Sequence, residues 1–396
     1  MKNFQYIIIG AGMTGAAAAK GIRENDPDGS IAMFSKEEFP PYARPPLSKG
    51  LWAGMEEEKI FRPLDGLGVN LILGTSVEKI APDKKTIITT KGDTYSYQKL
   101  LLATGGDARH LPGAPEGVIF FRTLADYHKL KAETDKKESF CIIGGGFIGS
   151  ELAASLTNNH KKVTMIFPEK GISGAFFPDN LGEFVVNYYQ EKGVQVLNEH
   201  LVDSIQKEGD KFIVKYHGID NDQSGEAAFD AVIAGLGITP NTSLAQACGI
   251  TVDNGIIVDE YLQTNLPDIY AAGDVANFIN VHLNKRMRVE HANNAVQMGQ
   301  LAGQNMSGKQ QQYDHFPFFY SDLFDLGYEA TGDTNKNLEI FEDWIEPFKK
   351  GTIFFLDEGH IRGLIFWNLW DKLEQGQSII NSGKKFQLTD LPGMFQ

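Results

Sequence analysis

Apolar residues along this chain occur in short runs, and two of these runs end in the same arrangement of glycines. The first run, QYIII at residues 5–9, predicts a buried strand, and GAGMTG at 10–15 opens an alanine-rich helix. FCIIGGGFIGSELAASL at 140–156 repeats this order of strand, glycine turn and helix. A second apolar strand follows in each case, IAMFS at 31–35 and KKVTMIFPEKG at 161–171. The pattern therefore predicts two units of the same α/β build.

The segments between and after these two units also show strand and helix patterns. Strands are predicted at residues 69–73, 86–90, 99–106, 194–206 and 211–217, and helices at about 180–192 and 290–305. AVIAGLGITPN at 231–241 predicts a strand followed by a glycine turn, and TNLPDIYAAGDVA at 264–276 predicts a buried strand that ends at Asp274. Towards the end of the chain no third glycine pattern occurs. There, TIFFLDEGHIRGLIFW at 352–367 alternates like a hairpin with its turn near Asp357–Gly359.

These elements predict an α/β protein with two Rossmann-like three-layer dinucleotide-binding domains, the second inserted in the first, and a smaller C-terminal α+β domain. We predict that residues 1–117 and 242–315 form the first domain, 118–241 the second and 316–396 the third. A chain of 396 residues is long enough for each domain to have a core of its own.

The overall charge and hydropathy narrow the classes of partner. A net charge of −14 disfavours nonspecific binding to nucleic acid and to anionic membranes. No apolar run approaches the roughly 20 residues of a membrane-spanning helix. The first predicted strand begins within the first ten residues, so we expect no leader segment before the fold and a cytoplasmic location.

The two cysteines, Cys141 and Cys248, stand far apart in the sequence. This spacing excludes a disulfide framework and a closely spaced redox pair of the C-x-x-C kind. Cys141 falls in an apolar strand, where a buried small side chain is the expected role. The histidines show no metal-ligand spacing with the cysteines or acids, and we predict no metal site.

The glycine turns predict two sites for dinucleotides. Glycines in such a turn let the backbone approach a pyrophosphate, and the helix that follows presents free amides and the positive end of its dipole. Glu169 is predicted to end the second strand of the second unit, where a carboxylate binds both ribose hydroxyls and repels a 2′-phosphate. That position predicts NADH over NADPH, although Lys170 comes next. In the first unit Lys36 takes the equivalent position, and Glu37 is the predicted ribose contact.

The order of motifs resembles the FAD-dependent pyridine nucleotide oxidoreductases of the ferredoxin-reductase and apoptosis-inducing factor type, and the second of these more closely. The motifs run over nearly the whole chain. They are GAGMTG at 10–15, PYARPPLSK at 41–49, ATGG at 103–106, FRTLAD at 121–126, IIGGGFIGSELA at 142–153, FPEKG at 167–171, GLGITPN at 235–241, YAAGD at 270–274, VEHANNAVQMGQLAGQNMSG at 289–308 and FYSDLFDLGYEATGD at 319–333.

The resemblance implies FAD and NAD as cofactors and assigns their contacts position by position. It implies that Gly10, Gly12 and Gly15 hold FAD, with Asp274 at the ribityl and pyrophosphate region, Arg44 and Lys49 in the loop that passes the flavin ring, and Arg122 as a further contact. It implies that Gly144, Gly146 and Gly149 hold the NAD pyrophosphate, and that Glu290 and His291 lie near the nicotinamide. The remaining predicted cofactor-binding residues are Glu37, Ala103, Thr104, Gly105, Phe147, Ile148, Glu151, Glu169, Gly235, Gly237, Gly273, Ala292 and Tyr320.

Phe147, Glu151 and Lys49 are the candidate catalytic residues. Positions 147 and 151 share a helix face if both are helical. Our hypothesis is that this face points at the nicotinamide, that Phe147 covers the flavin ring until NAD binds, and that Glu151 pairs with Lys49 near the flavin N5. Tyr320 stands where a tryptophan is common in the family, so the stacking at the flavin is expected to differ. The mitochondrial member of the family has an N-terminal targeting region and a long insert in its last domain, and we expect neither feature in this chain.

The sequence therefore predicts an FAD-dependent NADH oxidoreductase that uses no redox disulfide and passes electrons to a quinone, a small oxidant or an electron-transfer protein. The first alternative is a ferredoxin or rubredoxin reductase, against which the negative charge argues modestly. The second alternative belongs to another class, a redox-sensing assembly protein with slow turnover, controlled by NADH. A homodimer is expected only by analogy with the family.

Overall fold

The computed structural model describes residues 1–220 and 223–395. In chain order the strands are β1 Lys2–Ile9, β2 Ile31–Phe34, β3 Val69–Ile72, β4 Val77–Ala81, β5 Thr86–Thr89, β6 Thr94–Leu102, β7 Gly106–Ala108, β8 Ile119–Phe120, β9 Ser139–Ile143, β10 Lys162–Ile166, β11 Gln195–Leu197, β12 His200–Glu208, β13 Lys211–Gly218, β14 Ser224–Phe229, β15 Ala231–Ala234, β16 Ile238–Pro240, β17 Ile256–Ile257, β18 Ile269–Ala271, β19 Ala276–Asn280, β20 Lys285–Met287, β21 Phe318–Leu323, β22 Leu326–Gly332, β23 Glu339–Glu346, β24 Lys350–Asp357 and β25 His360–Trp367. The α-helices are α1 Met13–Asn25, α2 Leu124–Thr134, α3 Phe147–Asn158, α4 Asp179–Glu191, α5 Ser243–Ala247, α6 Ala292–Met306 and α7 Leu373–Asn381.

The chain divides into two compact units. The first unit comprises Met1–Arg44, Glu56–Asp107 and Thr239–Phe318, and the second comprises Pro45–Met55, Ala108–Ile238 and Phe319–Gln396. The second unit thus includes the segment around Lys49. The predicted division into three domains stays a prediction.

The first unit is built on a seven-stranded sheet. Its order is β3-β2-β1-β6-β5-β4, with β18 also paired to β6. Strands β3, β2, β1, β6 and β18 are parallel, whereas β4, β5 and β6 form an antiparallel extension. The four residues of β2 and the last four of β1 are buried because helices cover the sheet, as their continuous apolar runs predict.

Helices α1 and α6 of the first unit pack unusually close to each other. A Cβ added to Gly21 of α1 would lie 2.0 Å from the Gln300 carbonyl oxygen, and one on Gly303 of α6 would lie 2.1 Å from the Ala18 carbonyl oxygen. Glycine is therefore required on both helices. This packing holds α1, the helix that follows the first glycine turn, against α6.

Among its described residues, the second unit contains three sheets of three or more strands. A parallel sheet has the order β11-β10-β9-β15-β8, and β12-β13-β14 form an antiparallel sheet. The third sheet, β21-β22-β25-β24-β23, includes the hairpin predicted near Asp357–Gly359, since Asp357 pairs with His360. The predicted α/β class is confirmed by these sheets. No helix in the described ranges is long and apolar enough to cross a membrane.

Candidate functional site

The first glycine turn joins β1 to α1, and its three glycines have different neighbours. Gly10 has a φ of +114°, and a Cβ there would lie 2.1 Å from the Ala103 carbonyl oxygen. A Cβ on Gly15 would lie 2.1 Å from the Gly10 carbonyl oxygen, whereas one on Gly12 would meet no protein atom within 4 Å. The outer glycines therefore allow close packing, and Gly12, the N-cap of α1, leaves the helix terminus accessible.

The second glycine turn, between β9 and α3, has the same construction. Gly144 has a φ of +113°, and its Cβ would lie 2.4 Å from the Gly235 carbonyl oxygen. The Cβ of Gly149 would lie 2.0 Å from the Gly144 carbonyl oxygen, and that of Gly146 would again meet nothing within 4 Å. Two helix N-termini are thus presented at the carboxyl ends of parallel strands, which fits two dinucleotide pyrophosphates.

Glu37 lies just after β2, and both of its carboxylate oxygens have protein partners. The Tyr42 hydroxyl donates to Oε2 at 2.6 Å, and Arg44 Nη2 donates to Oε1 at 2.8 Å. The structure therefore brings together two predicted FAD contacts, Glu37 and Arg44. A carboxylate has further lone pairs, so these contacts leave room for a ribose hydroxyl.

Several other predicted FAD contacts of the first unit also lie around the first glycine turn. A Cβ on Gly273, which has a φ of +79°, would lie 2.2 Å from Thr14 Oγ1 in the first turn of α1. Thr104 Oγ1 donates to the Asn241 carbonyl oxygen at 2.8 Å, and Gly105, with a φ of +60°, follows it. The half-buried Asp274 follows Gly273 in a short 3-10 turn.

The acid–histidine pair precedes α6 in the first unit. Glu290 Oε1 lies 2.7 Å from Arg288 Nη1, and the Arg288 side chain also donates to the Asp274 carbonyl oxygen at 3.0 Å. His291 is the N-cap residue of α6, and Ala292 is its first residue. Burial lowers the pKa of His291 to about 4 in spite of the opposing charge of Asp274, so its imidazole is neutral at neutral pH.

Lys49 and Glu151 form an ion pair inside the second unit. Lys49 Nζ lies 3.3 Å from Glu151 Oε1, with 18% of the lysine side chain and 7% of the glutamate side chain exposed. Lys49 Nζ also lies 3.3 Å from Asp322 Oδ2 and 4.6 Å from the centre of the Tyr320 ring. A loop residue and a helix residue that stand far apart in the sequence are thus brought together as expected.

Two serines that the sequence did not single out bind the same carboxylate. Ser48 Oγ donates to Glu151 Oε2 at 2.5 Å, and Ser321 Oγ donates to Glu151 Oε1 at 2.7 Å. Both lie within quoted motifs, directly before Lys49 and directly after Tyr320. Their position beside predicted site residues was the one sequence feature that could have identified these serines. Only the fold shows that their hydroxyls bind Glu151.

Two acids, Glu151 and Asp322, maintain the positive charge of Lys49. Burial acts to lower the pKa of the Lys49 ammonium, but the negative charges of Glu151 and Asp322 outweigh it and leave the pKa raised. The surroundings of Glu151 are dry, since Tyr189 and Tyr328 are fully buried and burial, together with the charge of Glu151, raises the pKa of both phenols. An ion pair in such surroundings interacts more strongly than one at the surface.

Phe147 begins α3 and packs in an aromatic cluster, which we define as Phe147, Phe176, Phe177, Phe319 and Tyr328. Its ring stacks on Phe176 with the centroids 5.3 Å apart and the planes at 17°, and meets Phe319 edge-on at 5.5 Å. Phe147, Phe176 and Phe319 are half-buried, whereas Phe177 and Tyr328 are buried. The sequence missed Phe176 and Phe319 as neighbours of Phe147, because helical spacing describes one helix only.

The predicted ribose acid, Glu169, is exposed and follows β10 after two further residues. Its carbonyl oxygen accepts from the Glu199 amide at 3.1 Å, and the Lys170 carbonyl oxygen accepts from Asn198 Nδ2 at 2.6 Å. The backbone of this pair is therefore held by the segment between β11 and β12.

The remaining predicted residues described next all belong to the second unit. Ile148 is in the first turn of α3, Gly235 follows β15, and Gly237 has a φ of +78° and accepts from the Arg109 amide at 3.0 Å. Arg122 belongs to the second unit, where its amide donates to Asp126 Oδ2 at 3.1 Å just before α2. The role of each predicted site residue stays a prediction.

Both cysteines, Cys141 and Cys248, are free thiols. Cys141 is buried in β9, which raises the pKa of its thiol, and Cys248 is partly buried. Within residues 1–220 and 223–395 no group of three or more His, Cys, Asp or Glu side chains could hold a metal ion.

Comparison with protein families gives a match over three quarters of the chain. Residues 4–299 match the family model described as "Pyridine nucleotide-disulphide oxidoreductase". The chain is 31% identical to "Apoptosis-inducing factor 1, mitochondrial" of Dictyostelium discoideum, covering 96% of this chain and 79% of that protein. It is 32% identical to the "5,5'-dehydrodivanillate O-demethylase ferredoxin reductase subunit" of Sphingobium sp., covering 97% and 95%.

Two further similarities extend this comparison. "Monodehydroascorbate reductase 2" of Arabidopsis thaliana is 33% identical over 86% of this chain and 85% of that protein. Among solved structures, the reductase in the covalent putidaredoxin reductase–putidaredoxin complex superposes with a TM-score of 0.91 at 26% identity, covering 100% of this chain and 97% of that one.

Proposed function

This chain belongs to the pyridine nucleotide-disulphide oxidoreductase family, and from that premise we propose that it oxidises NADH and transfers the electrons through FAD to a separate acceptor. Members of the family use FAD and NAD(P)H. The observation that carries the proposal is the pair of glycine turns, each with close-packed outer glycines and an open N-cap glycine, Gly12 in one and Gly146 in the other.

The residues present fit both nucleotides. We propose that the first turn holds FAD, with Glu37, Arg44 and Asp274 as polar contacts in the first unit. We propose that the second turn holds NADH, with Glu169 at the adenosine ribose. When bound, FAD accepts two electrons with the hydride and can release them singly or in pairs.

The chain's own side chains orient the reactants and supply charge. Lys49 is protonated and carries the positive charge that stabilises the negative charge delivered with the hydride. Glu151 fixes the ammonium by its ion pair, and Ser48 and Ser321 fix the carboxylate in turn. The buried side chains of Tyr189 and Tyr328 exclude water from the surroundings of Glu151, which strengthens the pairing.

The electrons then leave to an acceptor without a dithiol step, because the chain has only two cysteines and they stand 107 residues apart (248 − 141). The names of two comparison proteins favour an electron-transfer protein as acceptor, since one is a ferredoxin reductase subunit and the other a putidaredoxin reductase. A ferredoxin or rubredoxin reductase is therefore the second candidate. The cytoplasmic location and the homodimer stay predictions.

An anaerobic titration of the purified protein with NADH tests the proposal. We expect bound FAD and a loss of the visible flavin absorbance as NADH is added, with NADPH less effective. Protein that holds FAD but is not reduced by NADH would contradict the proposal. Reoxidation by a ferredoxin, a rubredoxin or a quinone then distinguishes the acceptors, and a change in elution volume with slow turnover would favour the assembly protein instead.

We expect Phe147→Ala to change NADH binding. The ring rests on Phe176 at the start of the helix that we assign to NADH, so we infer that it closes the nicotinamide position and moves when NADH binds. Its removal should shift the NADH dissociation constant about fivefold, equivalent to one aromatic pair of roughly 1 kcal/mol, and should raise the oxygen reactivity of the reduced protein. Equilibrium titration and oxygen-consumption assays measure these effects.

Phe184→Ala is the matched control for Phe147→Ala. Phe184 is also half-buried in the second unit and stacks on Phe348 with the centroids 5.2 Å apart. The control should leave both measurements unchanged. If Phe147→Ala behaves like the control, Phe147 serves packing alone.

A further inference from the structure

Lys170, the cation beside the predicted ribose-binding acid Glu169, bears on the selectivity between NADH and NADPH. Lys170 adjoins Glu169, and a free ammonium there would attract the 2′-phosphate that distinguishes NADPH from NADH. We propose that Asp179 is a specificity-determining residue that holds Lys170 in an ion pair and so preserves the preference for NADH. The inference rests on the proposed function, in which the second unit binds NADH.

The geometry places one carboxylate between two cations. Asp179 is the first residue of α4, and its Oδ2 lies 3.6 Å from Lys170 Nζ. Its Oδ1 lies 3.3 Å from Lys336 Nζ. All three side chains belong to the second unit and are partly exposed, with 50% of the Asp179 side chain accessible. The carboxylate is also favoured at this position by the helix dipole of α4.

The backbone beneath Lys170 is fixed, so the choice of partner lies with the side chain. The carbonyl oxygens of Glu169 and Lys170 are bound by the Glu199 amide and the Asn198 side chain, respectively. The Lys170 ammonium can therefore move only by rotation of its own stem. Asp179 attracts it, and a 2′-phosphate would compete with Asp179 for it.

The local charge explains the direction of the expected effect. Glu169 and Asp179 carry two negative charges, which balance the positive charges of Lys170 and Lys336. Without the Asp179 charge the group becomes net positive, and both lysines are released from their partner. A doubly charged phosphate then gains attraction, whereas the uncharged ribose hydroxyl of NADH gains none. Because the pairs are exposed, the effect is modest and weakens with salt.

The test compares ligands that lack the nicotinamide and so cannot reduce FAD. Calorimetry of wild type and Asp179→Asn with ADP-ribose and with 2′-phospho-ADP-ribose measures binding alone. We expect the phosphorylated ligand to bind about threefold to fivefold more tightly to the variant. We expect the affinity for ADP-ribose to stay within about twofold, and the kcat/KM ratio of NADPH to NADH to rise in parallel.

Two further variants assign the effect. Adding Lys170→Met to Asp179→Asn should abolish most of the gain, because the released cation is gone. Asp325→Asn is the matched control. Asp325 Oδ2 lies 2.8 Å from the Nζ of Lys192, which follows the C-terminal end of α4. This variant should change the affinity for neither ligand.

The outcomes separate the two proposals. If wild type binds neither ligand, the proposed function fails and the inference fails with it. If wild type binds ADP-ribose but Asp179→Asn shows no gain for the phosphorylated form, or an equal gain for both ligands, the inference alone is overturned.

Discussion

Gly146→Ala should abolish NADH binding while the fold and the bound FAD remain intact. Gly146 has φ −81° and ψ −166°, a backbone conformation that alanine adopts without strain. A Cβ there would meet no protein atom within 4 Å. The added methyl group would instead occupy the position from which the backbone approaches the NADH pyrophosphate. We expect the NADH dissociation constant to rise at least about 100-fold, roughly 3 kcal/mol, in an equilibrium titration.

The first glycine turn provides the reciprocal variant. Gly12 has φ −86° and ψ −163°, and its Cβ would also meet nothing within 4 Å. Gly12→Ala should therefore reduce the FAD content of the purified protein and spare the binding of ADP-ribose. Gly149→Ala is the contrasting case, because its Cβ would lie 2.0 Å from a carbonyl oxygen, so it should destabilise the protein itself.

The measurements for these variants are FAD content, ADP-ribose affinity and the thermal midpoint of unfolding. Normal NADH binding by Gly146→Ala, in protein with an unchanged midpoint, would show that the second turn does not hold the pyrophosphate. If Gly146→Ala loses FAD but still binds NADH, the second turn would be assigned to FAD and the first turn to NADH.

Glu151→Gln should slow the reduction of FAD by NADH about 100-fold, roughly 2.7 kcal/mol in the activation free energy, without loss of FAD. Glutamine preserves the size of the side chain and can still bond to both Ser48 and Ser321. It removes the charge that holds Lys49, which then pairs with the exposed Asp322 alone. Anaerobic stopped-flow absorbance measures the rate of reduction directly.

Two comparisons make the Glu151 result interpretable. Lys49→Met should give a similar loss, because the pair acts as a unit. Glu346→Gln should leave the rate unchanged, since Glu346 and its partner Lys349 are both more than half exposed and such pairs contribute little. Unchanged rates in both Glu151→Gln and Lys49→Met would limit the pair to a structural role.

The elements that the sequence predicted well are those specified by local patterns. The two strand–turn–helix units follow from short apolar runs and glycine spacing, and the C-terminal hairpin follows from alternation about Asp357–Gly359. The predicted strand ending at Glu169 was too long, because β10 ends at Ile166 and leaves Glu169 in the following loop. Apolar periodicity continues through Phe167, which is buried, so the pattern alone does not mark where pairing ends.

The candidate site was only half visible in the sequence. Phe147 and Glu151 could be placed on one helix face because they are four residues apart. Ser48 and Ser321 are 103 and 170 residues from Glu151, and no local pattern indicates that their hydroxyls bind it. Phe176 and Asp179 were likewise invisible, because their partners lie on other elements.

The sequence by itself determined the two strand–glycine turn–helix units, the family, the absence of a closely spaced cysteine pair and the candidates Lys49, Phe147 and Glu151. Only the tertiary structure decided which glycines serve packing and which leave the helix terminus open, and which polar groups hold Glu151 and Lys170. The reason is physical: backbone conformation and helical periodicity are set by residues close in sequence, whereas ion pairs, close backbone approaches and aromatic stacking depend on elements that meet only when the chain folds.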